Sequence, residues 1–123
     1  VPVQTVSLIN LNLTFHTPLD KDGFPKINRD FINNVYREAA AGMQKDLLYL
    51  SERQNVSSDL KGQMAACVIE GNDTHTRTGF VDIPPLSNVP VTHAKIFGWY
   101  DNELGSYVNC LTKLAVYVSK AIA

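Results

Sequence analysis

From Leu104 to Ile122 the apolar residues Leu104, Tyr107, Val108, Leu111, Leu114, Ala115, Val118 and Ile122 recur at steps of three and four. That period holds for about five turns of an α-helix and lines all eight side chains along one stripe. A strand cannot present such a stripe, because its side chains change face at every residue. The segment is therefore a long amphipathic helix. Its stripe is expected to face the core rather than to form a groove for a partner.

The surface for such a helix must come from upstream. Ile9, Leu11, Leu13 and Phe15 alternate with Asn10, Asn12, Thr14 and His16, a period of two that predicts a strand. Val6 and Leu8 fall on the opposite parity, which either a bulge near Leu8–Ile9 or a stretch buried on both faces would explain. Apolar–polar alternation implies one wet face, hence an antiparallel sheet. Residues 19–26 form a loop, in which Asp20, Asp22 and Gly23 hint at a calcium loop. The glycine comes two positions too early and the closing Glu is missing, so turn chemistry explains these residues.

Asn28 can cap a helix with Asp30 in its first turn. Phe31, Val35 and Ala39, with Ile32 and Tyr36 beside them, give its apolar stripe, and Gly42 suits a left-handed residue at its end. Residues 47–50 and 65–70 read as strands, with turns at 57–59 and 71–73. Residues 76–81 read as the returning partner strand. Residues 83–90 hold three prolines and read as a loop. The last strand spans 92–100, with Ala94, Ile96 and Gly98 on one face, and Asp101 can cap the final helix. No glycine-rich turn follows a strand, so nothing here builds a dinucleotide fold. The fold class is α+β: a mostly antiparallel sheet, helices packed on one face, a long C-terminal helix and no Rossmann half.

Composition excludes several functions. The chain has 123 residues, 45% apolar and 19% charged, with a net charge of −1, an ordinary globular profile. Its eleven basic residues are dispersed, giving no basis for nucleic-acid or anionic-membrane binding. No apolar run approaches the ~20 residues that span a bilayer. The start, Val1-Pro2-Val3-Gln4, has neither an initiating Met nor the pattern of a signal peptide, which suggests a cut or processed chain. Cys67 and Cys110 read as reduced packing residues of a cytoplasmic protein. The triplets at Asn12, Asn55 and Asn72 match the glycan-acceptor pattern but read as chance occurrences, given no export signal.

His16, His75 and His93 pair with no Cys, Asp or Glu at ligand spacing, so no metal site is expected. A thiol nucleophile needs a base and a depressed pKa, and the surroundings of Cys67 and Cys110 suggest neither. No catalytic residue is assigned.

One string stands apart: Gly98-Trp99-Tyr100-Asp101-Asn102-Glu103-Leu104-Gly105. It closely resembles the Trp-Tyr-Asp-Asn-Glu signature near the C-terminus of phosphorylating glyceraldehyde-3-phosphate dehydrogenases. Two further strings follow that family's order. Val1-Pro2-Val3 with Val6-Ser7-Leu8 looks like its Arg-Val-Pro-Thr strand start, and Asn55-Val56-Ser57-Ser58-Asp59 looks like its Val-Ser-Ser-Asp segment. The resemblance covers essentially residues 1–123, as the C-terminal portion of the catalytic and tetramerisation domain.

The resemblance implies a glycolytic, NAD(P)-dependent oxidoreductase that oxidises an aldehyde through a cysteine thiohemiacetal. Neither Cys67 nor Cys110 matches the family's nucleophile motif. The nucleophile, its His partner, the phosphate-binding Arg and the cofactor domain would all lie upstream. It implies one cofactor-binding residue here, Asn102, which would hydrogen-bond the nicotinamide carboxamide. An Asn offers both a donor and an acceptor to such an amide, although helix capping is the plain alternative. Many relatives have Tyr directly after the motif glycine. Here Ser106 stands there and Tyr107 comes next, so no role passes to Tyr107. NAD or NADP would serve the complete enzyme, with none expected on these residues alone. The implied partners are the N-terminal part of the same enzyme and further copies, a homo-oligomer with no nucleic acid and no membrane. The alternative is a catalytically dead binding or assembly module of the same fold.

Overall fold

The computed structural model describes residues 4–122; the Val1-Pro2-Val3 part of the first motif lies outside them. The chain runs β1 (Val6–His16), α1 (Arg29–Ala41), β2 (Leu48–Ser51), β3 (Cys67–Glu70), β4 (His75–Ile83), β5 (Leu86–Asp101) and α2 (Ser106–Ala121), with short 3-10 turns at Ser57–Leu60 and Gly71–Asp73. The five strands form one sheet in the order β1-β5-β3-β2, with β4 also paired to β5. All pairings are antiparallel except β2 with β3. The expected α+β class stands, and no Rossmann pattern appears among the described residues.

β5 organises the sheet. One edge pairs with β1 along its whole length, from Val6↔Asp101 to His16↔Val91, without a register shift. Its other edge is shared: β4 takes the first half and β3 meets Trp99 and Gly98. The parity change at Leu8–Ile9 is therefore no bulge. Val6 packs with Leu60 and Val68 on one face. Leu13 and Phe15 pack with Ile32, Ile69, Ala94 and Ile96 on the other. The sheet carries apolar clusters on both faces, and β1 serves each with one parity.

Three expectations need correction. Residues 76–81 return as a strand, but β4 pairs with β5 and not with 67–70. The proline-rich segment is mostly strand: only Pro84–Pro85 turns, and β5 begins at Leu86. Pro90 is tolerated because it lies beyond the end of β1, opposite Phe80, where Thr17 N–H donates to its carbonyl at 3.0 Å. Gly42 does end α1, but at φ −112°, ψ −115°, so it is not left-handed. Its N–H donates to the carbonyls of Glu38 and Ala39.

α1 starts as read. Asn28 Oδ1 accepts from Phe31 N–H at 2.9 Å, and Asp30 sits in the first turn. Its buried face is turned from the expected stripe. Ile32 and Asn33 are inward, while Phe31 and Val35 are about half exposed. α2 departs further. Gly105 precedes it with no side-chain cap. Leu104, Tyr107, Leu111, Leu114 and Ile122 all stand exposed, Leu111 by 54%. The helix exists as read, but its stripe does not face this chain's core.

Candidate functional site

The motif string occupies the last residues of β5 and the turn into α2. Its glycines are explained by close approach. A Cβ on Gly98 would stand 2.8 Å from Cys67 Sγ, and one on Gly105 would stand 2.2 Å from the Gln63 carbonyl oxygen. Any larger residue at Gly105 would push α2 off the 62–64 loop. That loop turns at Gly62, whose φ of +79° suits glycine.

Asp101 is fully buried and holds the turn. Its carboxylate accepts from Gly62 N–H at 2.7 Å, Glu103 N–H at 2.9 Å and Leu104 N–H at 2.8 Å. Burial alone would raise its pKa. The backbone N–H groups of Gly62, Glu103, Leu104 and Gly105 outweigh that and hold it below the usual carboxylate range. The expected helix cap is thus a turn hub, since α2 begins five residues later. Ser106, also buried, completes the junction. It accepts from Asp101 N–H at 3.1 Å and donates to the Gln63 carbonyl at 3.2 Å. Asn109 Nδ2 adds a bond to Met64 O at 2.8 Å.

Asn102 sits on this scaffold and faces solvent. Its backbone N–H donates to Thr5 O at 2.9 Å, and its side-chain Nδ2 donates to Ser7 Oγ at 3.3 Å. It does not cap α2, because it precedes that helix by four residues. Backbone bonds fix its position while its amide stays reachable, the arrangement a ligand-facing amide requires.

The second motif string lies alongside. Val56 N–H donates to Asp59 Oδ2 at 2.9 Å, closing the 57–60 turn, and Leu60 packs against Val6 and Val68. Asn55 Nδ2 donates to Ser51 Oγ at 2.6 Å and Glu70 Oε1 at 2.8 Å. Residues 5–7, 55–62 and 98–106 therefore meet at one end of the sheet. Sequence reading missed Glu70, a carboxylic acid with 1% exposure, and Gln63, whose carbonyl ties the junction. Neither carries a local signal, since both matter only through long-range contacts.

The other candidates stay apart. Cys67 packs beneath Gly98, and burial pushes its thiol above the usual range, the opposite of an activated nucleophile. His93 faces away from Cys67, because residue 93 shares parity with Trp99, whose partner is Val68 and not Cys67. His93 Nδ1 instead meets Thr14 Oγ1 at 3.3 Å. Asp20 Oδ1 accepts from Asp22 and Phe24 N–H groups, and Gly23 has φ +84°, so turn chemistry accounts for that loop. Among the described residues no three His, Cys, Asp or Glu side chains gather as metal ligands, and no helix is long and apolar enough to cross a membrane.

No protein-family model matches the chain. Known enzymes do. It is 32% identical over 122 residues to glyceraldehyde-3-phosphate dehydrogenase 1 of Streptomyces avermitilis, covering 99% of this chain and 30% of that enzyme. It is 33% identical over 123 residues to glyceraldehyde-3-phosphate dehydrogenase of Streptomyces coelicolor, covering 99% and 30%. It is 32% identical over 119 residues to the enzyme of the same name from Priestia megaterium, covering 97% and 29%. The chain thus spans about 30% of the length of the curated relatives it matches.

Proposed function

We propose that this chain, which matches the C-terminal part of glyceraldehyde-3-phosphate dehydrogenases, serves as that portion of an NAD(P)-dependent, phosphorylating enzyme of the cytoplasm. Its contribution is fold, subunit contacts and one cofactor contact, Asn102. The carrying observation is the junction around Asp101. Three backbone N–H groups hold that carboxylate, and the adjacent Asn102 side chain is exposed.

A primary amide on a rigid turn fits a nicotinamide carboxamide, donor to acceptor and acceptor to donor. The cofactor, when bound, supplies the hydride acceptor. Asn102 would fix which ring face is presented. Cys67, packed and raised in pKa by burial, is a poor nucleophile, which supports thiol chemistry carried by another part of the enzyme. These 123 residues alone are therefore expected to be inactive.

Asn102→Ala in an active enzyme carrying this segment tests the reading. One lost hydrogen bond should lower kcat/KM for aldehyde oxidation by roughly tenfold, with the melting temperature unchanged. Unchanged kcat/KM with a lower melting temperature would assign Asn102 to the turn alone.

A second reading, a catalytically dead assembly module, is favoured by different observations: the exposed stripe of α2 and the outer edge of β1, which is unpaired among the described residues. Both invite partners. Aldehyde-dependent NAD(P)H formation by an enzyme carrying the segment excludes this reading.

A further inference from the structure

Glu70 ends β3, is 1% exposed and forms no salt bridge among the described residues. Among the described residues the one salt bridge joins Arg37 to Glu52. Glu70 Oε1 accepts from Asn55 Nδ2 at 2.8 Å, while Oε2 has no hydrogen-bond partner. The Trp99 indole N–H is also buried and unpartnered, and it lies near enough to favour a charge on Glu70 without closing a full bond. Asn55 is tied in turn to Ser51 Oγ and to the Arg53 carbonyl. Of the charged groups nearby, Asp73 after β3 and Asp59 in the 57–60 turn raise the Glu70 pKa, while the Arg29 guanidinium donates to the carbonyl of the next residue, Gly71, at 3.4 Å.

A buried carboxylate with one unpartnered oxygen and no salt bridge among the described residues is costly, so the fold favours its neutral form. Either form of Glu70 accepts from Asn55, which ties the 52–60 segment to the sheet, and the ionised form accepts more strongly. Ionisation nevertheless leaves charge on the buried, unpartnered Oε2, and that charge reaches water only if the packing over it opens. That segment leads through Leu60 to Gly62, whose N–H holds Asp101.

We propose that Glu70, Asn55 and Trp99 form a proton-operated latch: neutral Glu70 keeps the 52–60 segment seated on the sheet, and removal of its proton loosens that segment. The latch does not depend on Asn102 meeting a nicotinamide. It would, however, transmit to the same turn, because Trp99 lies two residues before Asp101 on β5.

The pKa direction agrees with the geometry. Burial pushes the Glu70 carboxyl up, the Asn55 amide opposes this, the Asp73 charge adds to it, the Trp99 indole opposes it, and Asp59 adds to it. For a carboxyl raised in the fold, the native state holds the proton longer than the unfolded state. Stability is then greatest below the usual glutamate value of about 4.3 and falls as pH rises through the raised value.

Trp99 is the only tryptophan of the chain, so its emission reports on the latch. The chain is titrated from acid to neutral pH, with far-UV circular dichroism followed alongside to exclude global unfolding. The expected result is a one-proton change in emission with its midpoint above the usual glutamate value. Glu70→Gln keeps the acceptor for Asn55 and should abolish that change. Amide exchange in residues 52–60 should then no longer quicken as pH passes the midpoint, once corrected for intrinsic rates. An emission titration that persists unchanged in Glu70→Gln overturns the latch. If that variant does not fold, Asp73→Asn decides. Removing a like charge should move the midpoint to lower pH, and an unmoved midpoint overturns the proposal.

Discussion

α1 and α2 read alike in the sequence and end differently in the fold. Both carry an apolar stripe at helical spacing. α1 is capped by Asn28 and lays Ile32, 7% exposed, onto Ile69, Ala94 and Ile96. α2 has no side-chain cap, and its leucines stand in solvent beyond the junction at Ser106. Periodicity specifies that a helix has an apolar face, but it does not specify which surface covers that face. The complement of α1 lies within these residues. Among the described residues nothing covers that of α2.

Substitutions on the two helices should separate cleanly in denaturant titrations. Ile32→Ala leaves a cavity against the sheet and should cost about 2–4 kcal/mol. If it costs under about 1 kcal/mol, α1 is not the packed helix. Gly105→Ala comes next, at about 1–3 kcal/mol, because its Cβ would meet the Gln63 carbonyl at 2.2 Å. That loss should fall on the start of α2, read as lost helical signal; a neutral substitution would show that the junction tolerates displacement. Asn28→Ala removes the α1 cap and should cost about 1 kcal/mol. Leu111→Ala should change stability by less than about 0.5 kcal/mol in the monomeric chain. A larger cost would mean that the α2 stripe is packed after all. The paired change Leu111→Glu and Leu114→Glu should leave stability similar and reduce self-association in light scattering, since the exposed stripe and the free β1 edge are both sticky.

Local features were legible and long-range ones were not. β1, the start of α1 and the span of α2 followed from period and capping, which act within a few residues. The partner of β4 was not legible, because β3 and β5 both offer apolar alternation and only the short turn at Pro84–Pro85 brings β5 back beside β4. The rotation of α1 was missed because Phe31 and Val35 are apolar yet lie at the rim of an apolar cleft with Leu13 and Phe15. At the site, the resemblance singled out Asn102. Asp101 read as an ordinary cap, since its main partner, Gly62 N–H, lies 39 residues away. The burial of Glu70 had no sequence signal, because alternation in a four-residue strand is too short to set its face.

Amide hydrogen exchange on the 123-residue chain, at a concentration where light scattering shows a monomer, tests the contrast between the helices most directly. Amides in α1 should be protected close to the global unfolding limit, and those of α2 beyond its first turn should exchange far faster. Equal protection in the two helices of the monomer would contradict it, because the α2 stripe would then be covered from within the chain.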